Sequence, residues 1–155
     1  MEKFALITLV AVTSFANAQD IPKAFQGKWV TSAIKYEQLS PKLVKHYCNP
    51  KMESDGAVIL TVSNKNMEMN YWEASETVNN FKFSQVKPNY ILGTARFVQS
   101  GFVGDEEGNL IDKDIILNRK IEFTLKNGEL IELYRNDQNE IGKPIWYKRY
   151  WKKCN

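Results

Sequence analysis

The chain has 155 residues, of which 43% are hydrophobic and 25% are charged, and its formal net charge at pH 7 is +3. This length supports one domain with a substantial core. The mild charge balance does not indicate a nucleic-acid-binding protein, in which basic residues cluster on one face or helix. The basic and aromatic stretch KRYWKK near the end alternates like a strand.

The first eighteen residues have the features of a secretory signal peptide. Lys3 precedes the apolar stretch FALITLVAV, and ANA at 16–18 fits the small-x-small cleavage rule. The apolar stretch is too short to span a bilayer, which requires about 20 residues, and no later segment approaches that length. We therefore predict cleavage near Ala18 and a single exported domain at 19–155. The periplasm is the preferred compartment, and full secretion is the alternative.

The predicted elements follow from apolar and polar alternation interrupted by turn residues. In chain order the strands lie in GKWVTSA, AVILTVS, MEMNYWEASETV, NFKFSQV, YILGTARFV, DIILNRKIEFTL, ELIELYR and IWYKRYW. One short helix is predicted at 40–47, with Ser40 as N-cap and Pro41 at its first position. Because barrel closure removes exposed sheet edges, we predict an all-β, antiparallel up-and-down barrel of about eight strands.

Two cysteines, Cys48 and Cys154, lie in the exported part. An even number of cysteines in an exported protein indicates a disulfide. The alternative, a free catalytic cysteine, would need an activating base, and His46 is the only hint of one. We predict a Cys48–Cys154 disulfide that holds the last strand against the early part of the chain.

Asn127-Gly128 signals a hairpin between two of the predicted strands. A two-residue turn sets Phe123 opposite Glu132 and places an acid on an apolar face. A three-residue loop with Gly128 as a bulge sets Phe123 opposite Ile131 instead. Because a slip of one residue moves every side chain to the other face, we predict the bulged hairpin from its better apolar match.

A glycine and a tryptophan, Gly27 and Trp29, stand on the first predicted strand. A Gly-x-Trp motif at this place in an exported barrel resembles the lipocalins and the wider calycin group. The resemblance implies that Trp29 closes one end of the barrel and that Arg149, from the last strand, packs across it. The second lipocalin motif, a Thr-Asp-Tyr before a late strand, is absent. The alternative is an unrelated barrel or sandwich in which Trp29 is an ordinary core residue.

The barrel interior and its mouth supply the candidate ligand-binding residues. An eight-stranded barrel is either filled by side chains or holds one small ligand. Three arginines would suit an acidic ligand or partner if they formed a ring at the mouth, and in the bulged register Arg119 and Arg135 are opposite neighbours. The alternative is that they spread at a solvated rim. The candidates are the arginines Arg96, Arg119 and Arg135 and the interior apolar residues Met67, Met69, Phe81, Phe83, Ile121 and Phe123.

Other chemistries are not indicated. His46 and Cys48 are too few ligands for a structural zinc site, and the acids at 105–114 do not fit a calcium-loop template. Glu73 and Glu76 would lie on opposite faces of a strand, which separates them as a glycosidase pair. No nucleophile-elbow, metalloprotease or phosphate-loop motif is present. We therefore expect no enzymatic activity, no cofactor and no metal.

Two hypotheses from different classes follow. The first is a monomeric, exported, lipocalin-like protein that holds a small apolar or amphipathic molecule. The second is an exported inhibitor or immunity protein that blocks another protein through its loops. A cavity of about 300 Å³ or more, open at one end, would favour the first, and a barrel packed with its own side chains would favour the second.

Overall fold

The structure, a computed structural model, describes residues 20–34, 37–51, 56–71, 76–104, 110–136 and 143–155. The predicted signal peptide, the acidic segment at 105–109 and Glu73 lie outside the described residues. In the described part of the chain, no helix has the length and apolar composition needed to cross a membrane.

Within the described residues, eight strands form a closed antiparallel barrel in which each strand pairs with its neighbours in the chain. The barrel closes where the last strand pairs with the first, with Trp29 opposite Lys153. The predicted fold class and the predicted neighbourhood of the first and last strands are confirmed. The strands are β1 (Gly27–Ser32), β2 (Ala57–Val62), β3 (Met67–Tyr71), β4 (Glu76–Lys87), β5 (Tyr90–Gly104), β6 (Leu110–Lys126), β7 (Glu129–Asn136) and β8 (Ile145–Lys153).

The short helix is confirmed as α1 (Pro41–Cys48), which lies between β1 and β2 in the chain. The Ser40 hydroxyl accepts a hydrogen bond from the Leu43 backbone N–H, and proline occupies the first helical turn, as the sequence predicts. No residue of α1 is fully buried. The helix therefore lies on the outside of the barrel, where it packs against β1.

The predicted disulfide is confirmed. Cys48 and Cys154 are bonded, with 5.4 Å between their Cα atoms and a separation of 106 residues along the chain. The bond joins the last residue of α1 to the residue that follows β8. It therefore holds the helix beside the end of the last strand.

Alternation along the strands produces the core as expected. On β3, Met67 and Met69 are buried while Glu68 and Asn70 are exposed. One boundary differs from the prediction, because residues 76–78 belong to β4 and pair with β5, whereas the sequence pattern had continued the preceding strand through them. Of the predicted interior residues, Met67, Met69, Ile121 and Phe123 are buried, and Phe81 and Phe83 are half-buried and pack against them.

The end of the barrel where β1 begins and β8 ends, called here the lower end, is closed by the segment at 20–26. Ile21 and Phe25 of this segment are buried in the core, and Trp29 Nε1 donates a 2.7 Å hydrogen bond to the Phe25 carbonyl. Gly27 has φ +119°, a conformation that side-chain-bearing residues rarely adopt, so the chain can turn from the plug into β1 there. Trp29 therefore packs at this closed end.

The cation over Trp29 differs from the one that the resemblance implied. Lys153 Nζ lies 5.2 Å from the Trp29 ring centroid, because Lys153 stands opposite Trp29 in the β1–β8 pairing. The Arg149 guanidinium lies farther up β8, over the rings of Tyr71 and Tyr134. The expectation that Arg149 packs across Trp29 was wrong.

The β6–β7 hairpin has the two-residue turn, and the predicted bulge was wrong. Asn127 and Gly128 both have positive φ, +53° and +76°, which matches the backbone twist that a two-residue hairpin turn requires. Phe123 is therefore opposite Glu132, and Glu132 points into the barrel. Matching apolar residues across the hairpin gave the wrong register because the Glu132 carboxylate has partners on β8, namely Arg149 and Trp151.

Candidate functional site

Most of the barrel interior is occupied by the protein's own side chains. The buried core includes residues from the plug at 20–26 and from all eight strands. Its largest members are close to fully buried, so within the described residues the lower part of the barrel is filled. They include Trp29, Met67, Met69, Phe97, Phe123, Leu130 and Trp151.

A group of polar side chains lies in the interior above this apolar core. We call it the polar cluster, and it consists of Tyr71, Arg119, Glu132, Tyr134 and Arg149. Glu132 and Arg149 are 1% and 4% exposed, with 3.9 Å between Arg149 Nη1 and Glu132 Oε2. The cluster therefore holds two arginines and one carboxylate.

The contacts within the polar cluster orient its charges. Trp151 Nε1 donates a 2.9 Å hydrogen bond to Glu132 Oε2, and Arg149 Nη1 donates to the Tyr71 hydroxyl. The Arg149 guanidinium carbon lies 4.7 Å from the centroid of the Tyr134 ring. The Trp151 hydrogen bond and the nearby Arg149 guanidinium are the interactions that allow the Glu132 carboxylate to be buried.

Burial raises the pKa of Glu132 above its ordinary value of 4.5, and the Arg149 guanidinium and the Trp151 N–H oppose this rise. Burial likewise raises the pKa of Tyr71, and Arg149 opposes that rise. The burial effect is the larger one in both groups because the polar cluster lies in a low-dielectric interior. Burial in the polar cluster therefore disfavours the ionised forms of Glu132 and Tyr71, and Arg149 offsets part of that cost.

The three candidate arginines do not form a ring. Arg119 points inward, with its guanidinium carbon 3.3 Å from the Phe97 ring centroid. Arg135 is opposite Trp146 on the outer face, because the two-residue turn places Tyr134 opposite Ile121. Arg96 is exposed on the outer face of β5. The expectation that Arg119 and Arg135 are opposite neighbours was wrong, and its cause is the one-residue difference in register.

A second candidate site lies outside the barrel, between α1 and the end of β8. It is a groove of about 840 Å³ that opens to solvent, and we call it the helix groove. It extends from the helix to the β6–β7 turn. Its lining residues are Leu39, Pro41, Val44, Lys45, Cys48, Asn49, Gly128, Lys152, Lys153 and Asn155.

The helix groove has an apolar side and a basic side. Leu39 is buried and Val44 half-buried, and both belong to the segment that carries α1. Lys45 is in the last turn of α1, and Lys152 and Lys153 end β8. None of the described residues that line the groove is acidic, although Lys152 Nζ lies 2.6 Å from Glu129 Oε1 beside the groove.

The position of α1 explains why the groove exists. The disulfide and a 3.4 Å hydrogen bond from Lys28 Nζ to the Tyr47 carbonyl hold the end of the helix against the barrel. Because no residue of α1 is fully buried, the space between the helix and β8 is left unfilled. The arrangement can accept a molecule that contacts an apolar surface and an array of ammonium groups.

Neither the helix groove nor the polar cluster was predicted from the sequence. A signal for the groove was present, since the predicted disulfide brings α1 beside Lys152 and Lys153. No comparable local signal identifies the polar cluster, because Glu132 and Arg149 become neighbours only through the β7–β8 pairing. Among the residues that the structure describes, no group of three or more His, Cys, Asp or Glu side chains is placed to hold a metal ion.

A scan against protein-family models, a search of curated proteins and a search of solved structures each found no match for this chain.

Proposed function

We propose that the protein is an exported, lipocalin-like, non-enzymatic binding protein for a small amphipathic acid, which it holds in the helix groove. The observation that carries this proposal is the groove of about 840 Å³, which has the size of ligand sites in proteins, about 300–1,000 Å³. The closed eight-stranded barrel and the position of Trp29 at its plugged end support the lipocalin-like architecture.

The chemistry of the groove supports an acid with an apolar part. An alkyl chain would lie against Leu39 and Val44, where burial contributes roughly 0.8 kcal/mol per CH₂ group. The acidic group would lie near Lys45 and Lys152, whose ammonium groups favour an anion. Solvent screens these lysines, so we expect them to select between ligands more than to provide affinity.

The filled interior supports a ligand position outside the barrel. A molecule inside would have to displace buried side chains such as Met69 or Phe123, and close-packed interiors resist that displacement. The alternative position for the ligand is the polar cluster, because Arg119 is half-buried and its Nε atom is buried without a hydrogen-bond partner among the described residues.

Export is the part of the proposal that rests on the disulfide and on the sequence pattern at 1–18. The disulfide between Cys48 and Cys154 supports an oxidising compartment. The signal-peptide pattern at 1–18 supports the periplasm or the extracellular space.

Calorimetric titration with decanoate and with 1-decanol tests the proposal. We expect decanoate to bind more tightly than the alcohol. Val44→Trp fills the groove and should weaken decanoate binding about tenfold or more, and Lys45→Glu should weaken decanoate but spare the alcohol. Arg119→Gln is the matched interior control and should leave both affinities unchanged.

The opposite pattern would place the ligand inside the barrel. If Arg119→Gln weakens decanoate binding and Val44→Trp does not, the site is the polar cluster. Equal binding of acid and alcohol by the wild type would mean that the lysines do not interact with the acidic group of the ligand. No binding of either compound would contradict the proposal as a whole.

The second candidate function is an exported inhibitor or immunity protein. The filled lower part of the barrel favours it, because such a barrel serves as a rigid scaffold for a protein-binding surface. This candidate predicts a surface suited to another protein.

A further inference from the structure

The outer surface of the barrel carries a concentration of cations on strands β4 to β8. All five side chains belong to strand positions that face away from the core, and three of them are exposed while two are half-buried. We call this surface the basic face. Its cations are Lys82, Arg96, Lys120, Arg135 and Lys148.

Strand pairing makes the basic face continuous. Lys82 is opposite Thr94, and Thr94 is opposite Lys120. Lys120 Nζ lies 5.8 Å from the centroid of the Trp146 ring, and Trp146 is opposite Arg135. At about 4.8 Å per strand the row spans about 19 Å.

The basic face also presents apolar groups that a folded domain normally buries. Ile116 is 52% exposed and Trp146 is 41% exposed. Lys148 Nζ lies 4.8 Å from the Tyr150 ring centroid, so a second aromatic ring borders the same surface. Tryptophan, tyrosine and arginine are the residues most often found at the energetic centres of protein interfaces.

Among the described residues of this surface, acids are in the minority. The outer positions of β6 include Asp114 and Glu122, and Glu122 Oε1 lies 3.9 Å from Lys120 Nζ. Even without Arg135, the described cations of the basic face outnumber these two carboxylates. The described part of this surface therefore has an excess of positive charge that would favour a negatively charged partner.

We propose that the basic face is a docking surface for the acidic surface of a partner protein, with Trp146 at its β8 side. A protein partner fits better than a membrane, because Ile116 and Trp146 are separate side chains on rigid strands and do not form the continuous apolar face of an interfacial anchor. The proposal goes beyond small-molecule binding, since the basic face and the helix groove share no residue.

Photo-crosslinking followed by reconstitution tests this proposal. Trp146 is replaced by p-benzoylphenylalanine in the full-length chain, which is expressed in its natural host, and Lys65 on the β2–β3 turn receives the same group as a control. We expect a crosslinked protein at position 146 that is absent at position 65. That protein is then identified, purified and titrated against the unmodified chain.

Affinity measurements on the purified pair decide whether the basic face is responsible. The double variant Arg96→Glu/Lys120→Glu should weaken binding at least tenfold, and Trp146→Ala should do so at least fivefold. Lys65→Glu, which removes the same kind of charge elsewhere, should change the affinity less than twofold. The affinity of the wild type should also fall as salt rises from 50 to 200 mM.

Two results of these experiments would overturn the proposal. One is the absence of a crosslink specific to position 146, and the other is an affinity of the purified pair that the double variant leaves unchanged. Binding of the wild type to vesicles of phosphatidylcholine and phosphatidylglycerol at 3:1, or to a 30-base-pair DNA duplex, would assign the face to a membrane or to DNA if the double variant abolished it. Thermal unfolding of each variant establishes that the substitutions leave the barrel folded.

Discussion

Glu132 and Arg149 stand directly opposite each other on β7 and β8, and both point into the barrel. The atoms Arg149 Nη1 and Glu132 Oε2 are 3.9 Å apart, and Trp151 donates a hydrogen bond to the same carboxylate oxygen. The pair is held inside the core by contacts from a third strand, since Arg149 also donates to the Tyr71 hydroxyl of β3. Each member depends on the other to remain buried.

Removal of the arginine tests this dependence. Arg149→Met should lower the free energy of unfolding by about 3–5 kcal/mol, because it leaves the Glu132 carboxylate buried without its cation. Adding Glu132→Gln to that variant should recover part of the loss. Urea denaturation measures both. Lys152→Met removes a cation from the more exposed pair with Glu129 and should cost less than about 1 kcal/mol.

The free energy of unfolding should depend on pH through the titration of Glu132. Its pKa is raised in the folded state, so the folded protein binds more protons than the unfolded chain at pH values above the ordinary value of 4.5. The contribution of Glu132 to stability is therefore greatest below pH 4.5 and is lost as pH rises through the folded-state pKa. Urea denaturation between pH 4 and 8 should show that the free energy of unfolding of the wild type falls relative to that of Glu132→Gln as pH rises. A constant difference would contradict this prediction.

Trp29 should be among the residues most important for stability. Trp29→Ala should lower the free energy of unfolding by about 3–5 kcal/mol, because it leaves a cavity beneath the plug formed by Ile21 and Phe25. Trp29→Phe keeps much of the ring volume and should cost less. A loss under about 1 kcal/mol for the alanine variant would mean that the indole does not support the closed end.

The disulfide should stabilise the barrel strongly because it closes a long loop. The chain-entropy model assigns about 4.7 kcal/mol to a loop of about 100 residues, and measured values are often lower. Chemical denaturation of Cys48→Ser/Cys154→Ser should therefore give a loss of about 2–5 kcal/mol. Non-reducing peptide mapping of the wild type purified from its natural host should find the two cysteines linked, and two free thiols would refute the pairing.

Gly93 should not tolerate a side chain. A Cβ atom at this position would lie 2.5 Å from the Lys82 carbonyl oxygen and 3.3 Å from Phe83 Cα, and backbone cannot yield as a flexible side chain would. The close approach occurs where the β4–β5 register shifts. Gly93→Ala should destabilise by about 1–3 kcal/mol in thermal or urea unfolding. Thr94→Ala, on the exposed face beside it, should change stability by less than about 0.5 kcal/mol.

Local patterns in the sequence determined much of the architecture. Alternation along Met67–Tyr71 identified an inward and an outward face, because a strand turns successive side chains to opposite sides. Ser40 and Pro41 identified the start of the helix, and the even number of cysteines identified the disulfide. The strand and helix inferences depend on residues that are close together in the chain. The disulfide could be inferred because two cysteines allow one pairing.

Only the tertiary structure decided the β6–β7 register and, with it, the site. Apolar matching rejected the register that buries Glu132, because the sequence does not reveal that β8 supplies Arg149 and Trp151 as its partners. That register also turns Arg135 outward and leaves Arg119 inward. The helix groove likewise depends on the distance at which the disulfide holds α1 from β8. Burial of a charge and the size of a groove are set by groups far apart in the chain, and their contacts exist only after the barrel closes.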